Sequence, residues 1–116
     1  MYLDSRTADG GYMAAGELTT TMMRIRNYLR DADISARAFA VLLGVPASAA
    51  KDALGARDYV GAEVEAAWLP IAARAAQFAR AFQPHLTCDA DGLRCLLESE
   101  VTPEEVRAAV ESLFQE

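Results

Sequence analysis

One short segment in the first half of the chain constrains the fold more than any other feature. Ala40 lies four residues before Gly44, and an apolar residue, Val45, follows the glycine; further small and apolar residues then recur at helical spacing. Glycine accepts the positive φ of a tight turn, and a small alanine one turn earlier lets a second helix approach closely. The spacing therefore predicts two short helices, at about residues 36–43 and 46–54, that cross steeply over a turn.

The segment resembles the helix-turn-helix of the Cro and lambda-repressor-like family of DNA-binding domains, over about residues 18–70. Flanking features extend the resemblance. Spaced arginines come before the pair, at Arg24, Arg26 and Arg30, and Ser35 is placed to cap its first helix. A Gly-x-Arg turn, Gly55-Ala56-Arg57, follows its second helix. The resemblance implies that the second helix of the pair enters the DNA major groove.

The composition indicates an all-α protein. The chain has 116 residues, of which 53% are hydrophobic, and many of these are alanine. Alanine favours helix and buries little area, so close helix packing is expected. The length predicts one domain, or one domain with an appendage. We expect a flexible arm at residues 1–16, a helix-turn-helix domain at residues 17–70, and a C-terminal helical extension at residues 71–116.

Other helices are predicted from apolar spacing and from signals at their ends, at about residues 18–31, 62–69, 71–82 and 93–98 and from residue 102 onward. Pro70 is expected to separate the second from the third of these, because proline lacks a backbone N–H and disfavours helix in the residue before it. The final helix has the pattern of a capping box, Thr102-Pro103-Glu104-Glu105.

Four residues are candidates for DNA contact under the family resemblance. The positions just after the turn and one turn later hold Ser48 and Lys51 as the available donors, while Arg37 and Arg57 flank the pair and would contact phosphate. No arginine is placed for guanine and no asparagine or glutamine for adenine, so base recognition would be limited. A simpler interpretation is that the arginines are solvated, or paired with nearby aspartates: Asp31, Asp33 and Asp58.

An apolar stripe on the last helix is the candidate interface, formed by Val106, Val110, Leu113 and Phe114. Such a stripe usually packs on its own domain. It could instead contact a second copy, because helix-turn-helix proteins usually bind DNA as two-fold dimers. The predicted partners under this hypothesis are double-stranded DNA and a second copy of the chain, as a homodimer.

The charge distribution supports a second hypothesis. Residues 1–60 are neutral in sum, whereas residues 61–116 hold four basic and ten acidic residues and carry the whole net charge of −6. An acidic protein that keeps the helix-turn-helix fold could act as an antagonist by binding a protein with a basic surface. Anti-activators and phage inhibitors such as anti-CRISPRs are similar in size and character.

Other classes of function are not supported by the sequence. We expect no enzyme, metal or cofactor, because His85 is the sole histidine and no nucleophile–base set, glycine-rich phosphate loop or paired-carboxylate motif is present. No apolar run approaches the roughly 18 residues that span a membrane, and the N-terminus lacks the pattern of a secretory signal. Two cysteines, Cys88 and Cys95, favour a reducing cytoplasm over a disulfide framework.

Overall fold

A computed structural model describes residues 17–115, and these residues form helices and connecting loops. The predicted all-α class is confirmed. The arm predicted at residues 1–16 lies outside the described residues. The helices within the described range are α1 (Thr20–Asp31), α2 (Ala36–Leu43), α3 (Ala47–Leu54), α4 (Ala62–Phe82), α5 (Ala90–Leu97) and α6 (Pro103–Leu113).

Side-chain caps determine where four of these helices begin. Thr19, Ser35, Asp89 and Thr102 each accept a hydrogen bond from the backbone N–H three residues later. In α6 the bond is reciprocal, because Glu105 Oε1 accepts from the Thr102 backbone N–H at 2.8 Å while Thr102 Oγ1 accepts from the Glu105 N–H at 3.1 Å. Each cap satisfies a donor that the helix leaves without a partner, worth about 1 kcal/mol. The predicted capping box is confirmed.

The turn between α2 and α3 has the predicted geometry. Gly44 ends α2 in the left-handed conformation, with φ 73° and ψ 30°. The Val45 N–H then donates to the Ala40 carbonyl at 3.1 Å, which closes the end of the helix. The predicted bounds of α2 are confirmed, and α3 begins one residue later than predicted because Pro46 is its N-cap.

The predicted break at Pro70 is wrong, because α4 is one continuous helix of 21 residues. Proline removes one backbone hydrogen bond, here the one that would reach the carbonyl of Ala66. Both Ala66 and Pro70 are exposed, so water can reach that carbonyl. Buried residues on both sides of the proline hold the two parts of α4 against the same core, which offsets the lost bond. The domain boundary predicted at residue 70 therefore lies inside a helix.

The core is a single cluster to which all six described helices contribute. Its buried residues include Met22, Phe39, Ala53, Ala72, Leu93 and Val106. The central helix is α4, which packs against α1, α6, α5 and α2, whereas α3 packs mainly against α2. The rings of Phe39 and Trp68 meet edge to face at 5.9 Å between centroids and join α2 to α4. This packing holds α2 firmly and leaves one face of α3 open to solvent.

Candidate nucleic-acid interface

The two faces of α3 separate as the sequence predicts. Ala50, Ala53 and Leu54 are buried, with Ala50 fully so. Ser48 and Lys51 lie three residues apart, on the same side of the helix, and both are exposed. The outward face of α3 therefore presents one hydroxyl and one ammonium group next to each other.

Arg37 lies in the first turn of α2, where its side chain is exposed. The cap of this helix is Ser35, whose Oγ accepts from the Ala38 N–H at 3.0 Å. Among residues 17–115, no carboxylate lies within 4 Å of the charged group of Arg37 or of Lys51. These two cations are available to a phosphate without the loss of an ion pair.

Arg57 is in a different state, because it faces an acidic residue of α3. Its Nη1 lies 4.0 Å from Asp52 Oδ1, and its backbone N–H donates to the Asp52 carbonyl at 2.8 Å. Asp52 is not among the aspartates that the sequence suggests as partners, which are Asp31, Asp33 and Asp58. Of those three, Asp31 does pair, with Arg30 at 3.6 Å. Both members of the Arg57 pair are well exposed, so the pair contributes well under 1 kcal/mol and a ligand can displace it.

The candidate interface on α6 divides between core and surface. Val106 and Val110 are 8% and 4% exposed and belong to the core that covers α4. These two side chains pack on their own domain, which is one of the two alternatives for the stripe, and are not exposed to a second copy while α6 stays packed. Leu113 and Phe114 are 75% and 47% exposed. The Phe114 ring stacks on His85, with 4.6 Å between centroids and 7° between planes, so part of its surface is already covered within the chain.

A buried carboxylate was not predicted from the sequence. Glu65 is 5% exposed, and its Oε1 accepts a hydrogen bond from the Thr19 hydroxyl at 2.8 Å. Thr19 is also the cap of α1, so one side chain both begins α1 and fixes it to α4. Nothing in the local sequence distinguishes Glu65 from the exposed Glu63 two residues earlier, since only the packing of α1 buries it.

The two thiols lie at α5. Burial raises the pKa of the Cys88 thiol, and the neighbouring Asp89 carboxylate and Cys95 thiol add to the shift. Cys88 therefore stays protonated over a wider pH range than a free thiol, and Cys95 is exposed. Within the described range, no group of three or more His, Cys, Asp or Glu residues is arranged to hold a metal ion. None of the helices there is long and apolar enough to cross a membrane.

Comparisons with protein-family models, with curated proteins and with solved structures found no match to the chain.

Proposed function

We propose that the protein is a cytoplasmic DNA-binding regulator that places α3 at the major groove and acts as a homodimer. The observation that supports this most is the open face of α3, with Ser48 and Lys51 outward after a glycine turn. An eight-residue helix is about 12 Å long, a length that suits a groove about 12 Å wide. No other part of the described chain combines a short, exposed helix with unpaired basic groups on it and on the helix before it.

The available groups favour contact with phosphate over recognition of bases. Lys51 offers a point charge, Arg37 offers a guanidinium fork, and Arg57 joins them once its exposed contact with Asp52 is released. Ser48 can donate to or accept from a base edge, but a single hydroxyl discriminates weakly. Binding is therefore expected to be salt-sensitive and modestly selective. With about three phosphates neutralised per copy, the affinity of one copy falls about 40-fold between 50 and 200 mM salt, and that of a homodimer with about six falls on the order of 10³-fold.

Fluorescence polarisation with labelled genomic fragments tests the proposal at these two salt concentrations. The variant Arg37→Ala/Lys51→Ala/Arg57→Ala is expected to lose binding, because it removes all three phosphate-contacting groups. A matched control, Arg26→Ala/Arg80→Ala/Arg94→Ala, removes the same charge from exposed positions outside α2 and α3. Equal loss in both variants, or no binding by the wild type at 50 mM salt, would refute DNA binding through α3.

The acidic half of the chain supports a second candidate, an antagonist that binds a protein with a basic surface. On α3 the Asp52 carboxylate lies against Arg57 and lowers the positive potential of the interface. Exposed carboxylates on α6, at Glu104 and Glu111, would then contact the partner. Complementary charge of this kind mainly accelerates association and selects partners.

Charge reversal on α6 separates the two candidates. Glu104→Lys/Glu111→Lys is expected to weaken a complex with a basic protein by an order of magnitude or more, and to leave DNA binding unchanged or stronger. Glu105 is kept, because it belongs to the capping box and its loss would destabilise α6 itself. The measurement is affinity capture from a host lysate with the wild type and the variant side by side. A captured protein that is retained equally by both would count against an acidic docking surface.

A further inference from the structure

A shallow groove lies between the end of α4 and the beginning of α6. Its volume is about 250 Å³, and we call it the α4–α6 groove; its lining consists of Gln77, Arg80, Ala81, Pro103, Glu104 and Arg107. The two arginines give it a positive local charge even though residues 61–116 carry −6 in sum. The α4–α6 groove is thus a basic site on the acidic half of the molecule.

The position of one guanidinium group is fixed by the backbone. Arg107 Nη2 donates to the carbonyl of Arg80 at 3.0 Å, at the C-terminal end of α4. That carbonyl also accepts from the Gln83 N–H at 3.2 Å, and the C-terminal end of a helix favours a cation, so the contact holds Arg107 beside Arg80. A guanidinium has five N–H donors, and this contact uses one of them. Most of the donors of Arg107 stay available to a ligand.

Neither arginine of the α4–α6 groove has an acidic partner in the described part of the chain. The ion pairs there join Arg30 with Asp31, Arg57 with Asp52, and Arg94 with Glu98. Glu104 also lines the groove, but its carboxylate forms no ion pair within 4 Å with the guanidinium group of Arg80 or Arg107. Two arginines without an ion pair among the described residues and Gln77 therefore line the same small space.

We propose that the α4–α6 groove binds a small organic carboxylate. A guanidinium fork matches the planar, bidentate geometry of a carboxylate. Two arginines and Glu104 sum to a charge of +1, which favours a carboxylate over a phosphate dianion because Glu104 repels the second charge. The volume is below the range of about 300–1,000 Å³ that is usual for drug-sized ligands, so the ligand is small. The site shares no residue with α2 or α3 and does not depend on DNA binding.

The test is a titration of the full-length ¹⁵N-labelled protein with two monocarboxylates, sodium acetate and sodium propionate, and with sodium phosphate, each at constant ionic strength maintained with sodium chloride. Amide shifts in residues 77–81 and 103–107 are expected to saturate with either carboxylate at millimolar concentration or below. Arg80→Gln is expected to weaken this binding about tenfold, because it removes a charge-assisted hydrogen-bond donor. Arg94→Gln is the matched control, since Arg94 lies on α5 outside the groove.

The outcomes are distinct. Saturation by the carboxylates that Arg80→Gln weakens and Arg94→Gln does not would support the proposal. Shifts that stay linear, that sodium chloride reproduces, or that Arg80→Gln leaves unchanged would overturn it, as would saturation by phosphate alone. Arg80→Gln is chosen because the Arg80 side chain makes no hydrogen bond among the described residues, so the variant is expected to fold. Arg107→Lys keeps the charge without the fork, and it is expected to retain weaker binding.

Discussion

At the scale of single residues, small side chains and glycines decide how closely parts of this chain approach. Gly92 is an example, because it lies inside α5 and yet has an ordinary negative φ. A Cβ placed on it would lie 2.7 Å from Cys88 Sγ and 3.2 Å from Asp89 Oδ1. The thiol occupies the space that an alanine would need. The glycine is therefore required by a neighbour and not by its backbone conformation.

Gly92→Ala is expected to destabilise the protein by about 1 kcal/mol, even though alanine is the better helix former by a similar amount. The added methyl group displaces the Cys88 thiol and disturbs the Asp89 carboxylate, which caps α5 by accepting from the Gly92 N–H at 2.8 Å. In a Cys88→Ala background the same change is expected to be neutral or stabilising. Urea denaturation of the four proteins in this double-mutant cycle gives the coupling. Equal effects in the two backgrounds would show that the thiol is not the obstacle.

At the scale of elements, α6 shows that one apolar stripe can serve two purposes. Its early residues are buried and its last ones are exposed, although all of them follow the same helical spacing. The exposed end is partly covered by the stack of Phe114 on His85. A contact with a second copy through the apolar stripe of α6 would therefore form at this end.

Val110→Ala is expected to affect the stability of the protein, and Leu113→Ala its assembly. Val110→Ala removes buried methyl groups and is expected to lower the free energy of unfolding by about 1–3 kcal/mol. Leu113→Ala changes an exposed residue and is expected to alter stability by less than about 0.5 kcal/mol. If the protein dimerises through this end, Leu113→Ala weakens the dimer. Urea denaturation and sedimentation velocity over a range of concentrations measure the two effects, and a dimer unaffected by Leu113→Ala would place its interface elsewhere.

The helices that the sequence predicts best are those with local signals at their ends. Ser35 and Gly44 define α2, and the capping box defines the start of α6, because such hydrogen bonds involve neighbours in sequence. The continuity of α4 could not be predicted in this way. Proline carries a strong local penalty, and the compensating burial on both sides of Pro70 depends on helices distant in sequence.

The candidate interface was predictable to a similar degree. The exposure of Ser48 and Lys51 follows from helical spacing once the buried face of α3 is known. The contact between Arg57 and Asp52 depends on the turn after α3, where Ala56 has φ 65° and the chain folds back. The burial of Glu65 depends on α1, whose N-cap Thr19 contacts it and lies 46 residues earlier in the sequence. Long-range packing thus decides which charged groups stay available.

At the scale of the whole molecule, the two halves differ in charge but share one core. The net negative charge lies after residue 60, where ten acidic residues face four basic ones, and the candidate DNA contacts lie before it. A negatively charged half repels DNA over a Debye length of about 8 Å at physiological ionic strength, so it restricts the orientations in which DNA can approach. The charge asymmetry therefore favours an approach from the side of α2 and α3.

The uninterrupted α4 has a consequence for how such a chain can be recombined with others. Six of its eight buried residues lie after residue 70. A fragment that stopped there would lack most of the buried face of α4, together with α5 and α6. The pair of helices α2 and α3 is thus not an independent folding unit. A gene fusion that adds a new activity must join the chain at a terminus and keep the whole sequence.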